Sequence, residues 1–263
     1  VKSKIGLFCN VAKEAVFNVV DVQHSIYELP LILAKEKISS FIGKKLNIHT
    51  REENLSDWEV LVHRLSQPLP KIRIGVVGKY VQHQDAYKSV YESLTHAALS
   101  LNYAIETLPI DAEDPNLNEI LEQCDGCLVP GGFGVRGWEG KISAAKFCRE
   151  HGVPYFGICL GMQVLVVEYA RNVLKLSLAD STEMNKETPD PVICIMKGQD
   201  SLLETGGSMR LGVYPCVLNT ESKVFQAYHG TSLIYERHRH RYELNFDYVS
   251  ALEDHGLKVV GTC

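Results

Sequence analysis

The pentapeptide Gly157-Ile158-Cys159-Leu160-Gly161 restricts the fold of this chain more than any other stretch of it. An apolar segment, Pro154-Tyr155-Phe156-Gly157-Ile158, runs into it, and a helical pattern over 162–171 runs out of it. A nucleophilic residue between two glycines, with a strand before and a helix after, predicts a sharp strand-to-helix turn in which a Cβ at either glycine would meet the crossing chain. The central residue is then held in strained backbone geometry, and its thiol stands at the C-terminal edge of a sheet. The following helix points its partly positive N-terminus at that sulfur, which favours the thiolate. The expectation is a nucleophilic Cys159, biased toward its anion before any base acts. A packing cysteine between two glycines is the plainer alternative, and the flanking strand and helix argue against it.

The same alternation extends upstream. Ile72-Arg73-Ile74-Gly75-Val76-Val77-Gly78 reads as a strand, and 86–101 reads as a helix with Val90, Leu94, Ala97, Ala98 and Leu101 on one stripe. A strand over 103–108, a short helix ending near Cys124, a strand Gly126-Cys127-Leu128-Val129 and a helix over 141–150 capped by Gly152 follow. Short apolar strands alternating with amphipathic helices predict an α/β fold, a mostly parallel sheet flanked by helices on both faces. Five or more strands are expected, with Cys159 after a central one. Residues 1–66 do not read as a whole domain: a strand-like start over 4–9, a helix over 31–42 and a charged segment over 51–59. In Gln67-Pro68-Leu69-Pro70 the prolines remove donors and force extended geometry, which places a boundary there. Residues after Pro191 read as strand-rich and less regular.

Composition narrows the classes of function. The net charge of -5 provides no basic field for a nucleic-acid backbone or an anionic membrane. No apolar run reaches the roughly 18 to 20 residues of a membrane span, and the first residues lack a signal-peptide pattern. The 8 cysteines are too sparse for a disulfide framework and mostly sit among apolar neighbours. A soluble chain in a reducing cytoplasm is expected. Cys124-Asp125-Gly126-Cys127 has the C-x-x-C spacing of a redox or half-zinc site, but no second pair accompanies it, so packing is expected. His238 and His240 fall on one face of a strand without a third ligand, so no metal site is expected. Arg237, Arg239 and Arg241 could meet phosphates, but the acidic balance and the lack of interleaved aromatics weigh against nucleic acid.

A second glycine-rich turn, Pro130-Gly131-Gly132-Phe133-Gly134, ends the strand before the Cys159 unit, where backbone N–H groups can face a developing oxyanion. With Asp180-Ser181-Thr182-Glu183 and Arg237-His238-Arg239-His240-Arg241-Tyr242-Glu243, these segments in this order resemble the class I, or triad, glutamine amidotransferases, and within them the CTP synthase family. Lys4-Ile5-Gly6-Leu7-Phe8-Cys9-Asn10-Val11 and Ser25-Ile26-Tyr27-Glu28-Leu29-Pro30 look like the end of that family's synthetase domain, so the resemblance covers essentially the whole chain.

The resemblance implies a synthetase remnant and linker over 1–66 and a flavodoxin-like glutaminase domain over 71–263, incomplete at its C-terminus. It implies that Cys159 attacks the amide of L-glutamine, that Gly132 serves the oxyanion hole, and that Leu160, Gly161, Met162, Gln163, Glu183 and Arg241 bind the substrate. Arg241 can pair bidentately with its carboxylate and Glu183 with its ammonium. Lys4 is implied as a nucleotide contact. No cofactor is implied in this part; ATP and Mg²⁺ belong to the synthetase domain of the same polypeptide, where ammonia aminates UTP to CTP, and the full enzyme is implied to be a homo-oligomer, a homotetramer. Two features depart from the pattern. The sequence contains no H-P-E segment to supply the family's His and Glu, and no G-x-x-x-x-G-K-[ST] phosphate loop. The 263 residues alone are therefore expected to fold poorly and to hydrolyse glutamine slowly.

Overall fold

The computed structural model describes residues 1–49, 51, 53–195 and 210–263. They form two compact units, 1–71 with 92–105, and 72–91 with 106–263.

The first unit contains α1 (Lys2–Phe8), α2 (Leu29–Lys35), α3 (Ile38–Leu46) and α4 (Ser56–Leu65). The expected strand over 4–9 is thus a helix, because a short apolar run does not by its period distinguish the two. The chain leaves α1 through Asn10 at φ 52°, and Val11 N–H bonds back to Gly6 O at 2.9 Å. The expected helix over 31–42 is two helices, broken where Lys37 adopts φ 59°. The charged stretch around 51–59 leads into α4, whose first turn carries Asp57 and Glu59 and whose last turn carries His63 and Arg64, in the order that the helix dipole favours.

The chain then runs through β1 (Lys71–Gly78), α5 (Lys88–Ser100) and β2 (Ala104–Asp111), and α5 and β2 cross the division between the units. In the second unit follow α6 (Leu117–Leu121), β3 (Gly126–Val129), α7 (Trp138–His151), β4 (Tyr155–Gly157) and α8 (Leu160–Asn172). The main sheet has the order β2-β1-β3-β4. β3 is parallel to β1, with Val76 opposite Leu128, and to β4, with Val129 opposite Gly157. All four β3 residues are buried, as a strand covered on both faces requires.

Among the described residues this sheet has four strands, and β4 is an edge. The expectation of five or more, with Cys159 after a central strand, is corrected accordingly. The strands beyond Asp180 do not extend it. β5 (Asp180–Ser181), β6 (Pro191–Ile195) and β9 (Tyr242–Leu244) make one three-stranded sheet. β7 (Arg210–Leu218), β8 (Leu233–His240) and β10 (Gly261–Thr262) make another. Burial alternates along β7, the mark of a strand with one covered face, so its pattern suits an antiparallel ribbon and not the buried parallel sheet. Short helices α9 (Lys223–Ala227) and α10 (Val249–Asp254) complete the unit.

Two apolar clusters fix the elements around Cys159. Val77, Ile110, Leu121, Val129 and Phe147 pack in one, and Leu160, Val164, Val167, Ile193 and Leu252 in the other. Each fully buried Val, Leu or Ile contributes about 1.5 to 3 kcal/mol from area burial, before entropy. α7 supplies both clusters, with Ala144 and Phe147 to the first and Ile142 and Ala145 to the second. Among the described residues no helix is long and apolar enough to cross a membrane.

Candidate active site

Cys159 is the residue at which β4 becomes α8, and its backbone sits at φ 53°, ψ −106°, a conformation that costs of order 1 to 3 kcal/mol and persists only when the surroundings impose it. The glycines are the imposition. A Cβ at Gly157 would lie 2.3 Å from Gly161 C and O, and a Cβ at Gly161 would lie 2.0 Å from Val129 O. Neither side chain has room, so the turn can be this tight only with glycine at both positions. Tyr155 ties it further, its hydroxyl donating to Gly161 O at 2.8 Å.

The glycine-rich turn after β3 lies against this elbow. A Cβ on Gly131 would be 3.4 Å from Cys159 Cβ, and one on Gly132 would be 3.4 Å from Leu160 Cδ2. Both distances are ordinary van der Waals contact, so the turn packs on the elbow without clash. The Leu160 N–H lies close enough to the Cys159 sulfur to favour its anion. The arrangement can present N–H groups from both loops to an oxygen bound near the thiol.

Burial raises the Cys159 pKa; the Leu160 N–H opposes that and the Glu183 carboxylate adds to it, with a net increase. The expectation of a thiolate stabilised by its helix is therefore corrected. Desolvation and a nearby anion outweigh the one N–H donor. As a donor the thiol reaches Arg239 O only at a long 4.0 Å, and among the described residues neither His238 nor His240 is bonded to it. The sulfur opens into a cavity of about 390 Å³ whose lining includes Ile158, Met162, Gln163, His240 and Tyr242.

Glu183 and Arg241 follow or precede strands of the β5-β6-β9 sheet, and neither is among the residues lining the cavity. Glu183 follows β5 and accepts from Gly134 N–H at 2.8 Å, which couples the carboxylate to the glycine-rich turn. Arg241 joins β8 to β9. Burial raises the Tyr242 phenol, with Glu183 raising and Arg241 lowering it as smaller effects, so both charges act on one ring in the cavity wall. β5 is itself anchored: buried Asp180 accepts from Trp138 Nε1 at 3.0 Å and pairs with Arg171 at 3.1 Å. Gln163 is 4% exposed; its amide N–H donates to Tyr242 O at 3.2 Å, and its Oε1 is buried without a partner. A buried acceptor in that state is a cost that the surroundings must offset.

Of the residues singled out in the sequence, Cys159, Met162 and Gln163 line the cavity, Gly132 and Leu160 abut the elbow, and Gly161 is a packing glycine beneath it. Lys4 is exposed on α1 in the first unit. Cys124 and Cys127 are buried free thiols. Among the described residues no group of His, Cys, Asp and Glu is arranged to hold a metal ion. Sequence reasoning missed Lys79 and Arg136. The Lys79 ammonium donates to Phe133 O and the Arg136 guanidinium to Lys79 O, bracing the glycine-rich turn. It also missed Tyr242. Its place beside Arg241 in a quoted motif was the available signal.

Residues 82–263 match the family described as glutamine amidotransferase class-I. The chain belongs to that family. Residues 1–48 match a second family, described as CTP synthase N-terminus. The chain is 69% identical to the CTP synthase of Chlamydia caviae and 58% identical to that of Chlamydia trachomatis serovar L2, in each case over 100% of this chain and 49% of the relative. It thus spans about half the length of the curated relatives it matches. A solved structure described as the Trypanosoma brucei CTPS glutaminase domain with bound acivicin is 39% identical and superposes with a TM-score of 0.67, covering 72% of this chain and 74% of that one. Membership of this amidotransferase family accounts for the parallel sheet, the elbow and the glycine-rich turn together.

Proposed function

We propose that this chain hydrolyses L-glutamine through Cys159 and that, in the full-length protein, the ammonia passes to a synthetase domain for ATP-dependent amination of UTP to CTP. The observation that carries the reading is Cys159 at φ 53° on a turn that admits only glycine at either side, with Gly132 and Leu160 against it. The sulfur attacks the side-chain amide carbon, the Gly132 and Leu160 N–H groups receive the oxyanion, and ammonia leaves a thioester that water cleaves to glutamate. One oxyanion donor is worth about 3 to 4 kcal/mol of barrier. Arg241 holds the substrate carboxylate and Glu183 its ammonium. A thiol of raised pKa needs a proton acceptor, for which the histidine of the family's H-P-E segment is the proposed group. ATP and Mg²⁺ act in the synthetase domain, and none of the steps above uses a cofactor.

The test is an active-site label. The full-length protein is treated with a glutamine-mimicking electrophile, and the modified peptide is identified by mass spectrometry. The reading predicts a single adduct on Cys159 that excess glutamine suppresses. Labelling spread over several cysteines, or indifferent to glutamine, would contradict it.

A further inference from the structure

Beside this site, and sharing His238 and His240 with the cavity wall, the sheet β10-β7-β8 brings two cysteines and a histidine together. β10 pairs antiparallel with β7, Gly261 opposite Leu218 and Thr262 opposite Val217, and the next step of that register sets Cys263 opposite Cys216. Directly opposed residues in such a pair lie about 4.5 to 5.5 Å apart at Cα, inside the 4.4 to 6.8 Å that a disulfide spans. The two thiols lie close enough for Cys263 to raise the pKa of Cys216. Gly261 keeps the approach open, since a Cβ there would lie 3.2 Å from Cys216 Sγ. Both are free thiols, Cys263 exposed and Cys216 half-buried.

A chain of hydrogen bonds fixes the tautomers beside them. His240 Nδ1 faces Tyr242 O at 3.1 Å and so carries its proton, which leaves His240 Nε2 to accept from His238 Nδ1 at 2.9 Å. His238 Nε2 is then the acceptor, and it faces Cys263 Sγ at 3.6 Å. Burial, the neighbouring His240 and Arg210 depress the His238 pKa, keeping the ring neutral and able to take a proton. Cys216 is pushed up to about 11, by burial first and then by Cys263, so it is the partner that reacts second.

We propose that Cys216 and Cys263 are a peroxide-sensitive pair that closes to a reversible cross-strand disulfide, with His238 accepting the proton of Cys263. The Cys263 sulfur, its proton passed to His238 Nε2, attacks one oxygen of a hydroperoxide. An S–O bond forms as the O–O bond breaks, and the leaving oxygen takes the proton from His238 to depart as alcohol or water. The Cys216 sulfur then displaces the sulfenic oxygen, the S–S bond forms, and that oxygen leaves as water with the Cys216 proton. Two thiols and one hydroperoxide thus give a disulfide, an alcohol or water, and a further water.

The full-length protein is exposed to a few equivalents of hydrogen peroxide, remaining thiols are blocked, and peptides are mapped without reduction. We expect a Cys216–Cys263 cross-linked peptide that dithiothreitol releases, formed equally in a Cys159→Ser background. Cys216→Ser should stop the reaction at a dimedone-trappable sulfenic acid on Cys263, and His238→Ala should slow its formation several-fold near neutral pH. The proposal is overturned if Cys216 remains fully alkylatable while other cysteines oxidise, or if Cys263 pairs elsewhere. Because the mapping reads no glutaminase activity, its failure is separate from failure of the proposed function.

Discussion

Cys159, the proposed nucleophile, has surroundings that favour its protonated form. Burial and the Glu183 carboxylate outweigh the Leu160 N–H, so ionisation requires a higher pH than for a free cysteine, roughly 8.5. The thiol has the raised pKa, so its anion is scarce below that value and accumulates only as pH rises through it. Alkylation of the full-length protein with iodoacetamide, followed at Cys159 against pH, should give a midpoint above that of free cysteine. Glu183→Gln should move the midpoint down, because it removes the nearby negative charge. A midpoint below that of free cysteine would refute this account of the thiol. The need for glycine at 157 and 161 was legible from spacing alone. The sign of the pKa shift was not, because a sequence displays the helix that follows a cysteine but not the water removed from around it. The Glu183 to Gly134 bond joins segments 49 residues apart and was illegible for the same reason.

At the scale of elements, α7 packs against α8, the helix that leaves the elbow, and one ion pair between them joins a fully buried carboxylate to a guanidinium that is 29% exposed. Glu168 is 0% exposed and takes three contacts from Arg149, at 2.8 to 3.1 Å. Arg149→Ala leaves that carboxylate buried and unpaired, at a cost of about 3 to 5 kcal/mol. The melting temperature should fall by roughly 6 to 20 °C for a domain of this size. Calorimetry checks it, and a variant pairing Arg149→Met with Glu168→Leu should recover most of the loss. An unchanged melting temperature for the single variant would show the pair to be dispensable. The strands and helices from β1 to α8 could be read from periodicity because each alternates cleanly with its neighbour. α1 was misread because six residues hold too few turns for a period to register, and the α2 to α3 break went unseen because it depends on a left-handed Lys37 that no composition rule requires. The edge position of β4 depends on where the later strands pair. Part of the strand-rich region after Pro191 lies outside the described residues.

For the whole molecule, under the proposed function, Cys159 has one task, releasing nitrogen from glutamine, and the synthetase portion of a longer chain uses that nitrogen. The two tasks separate when ammonia is supplied directly. The most direct measurement is CTP formation by the full-length Cys159→Ala protein with glutamine and, in parallel, with ammonium chloride as the nitrogen source. Glutamine-dependent formation should fall by at least the roughly 10²-fold expected on losing a catalytic group, while ammonia-dependent formation stays close to that of the unaltered protein. Equal loss with both nitrogen sources, or retention of the glutamine-dependent rate, would contradict the account.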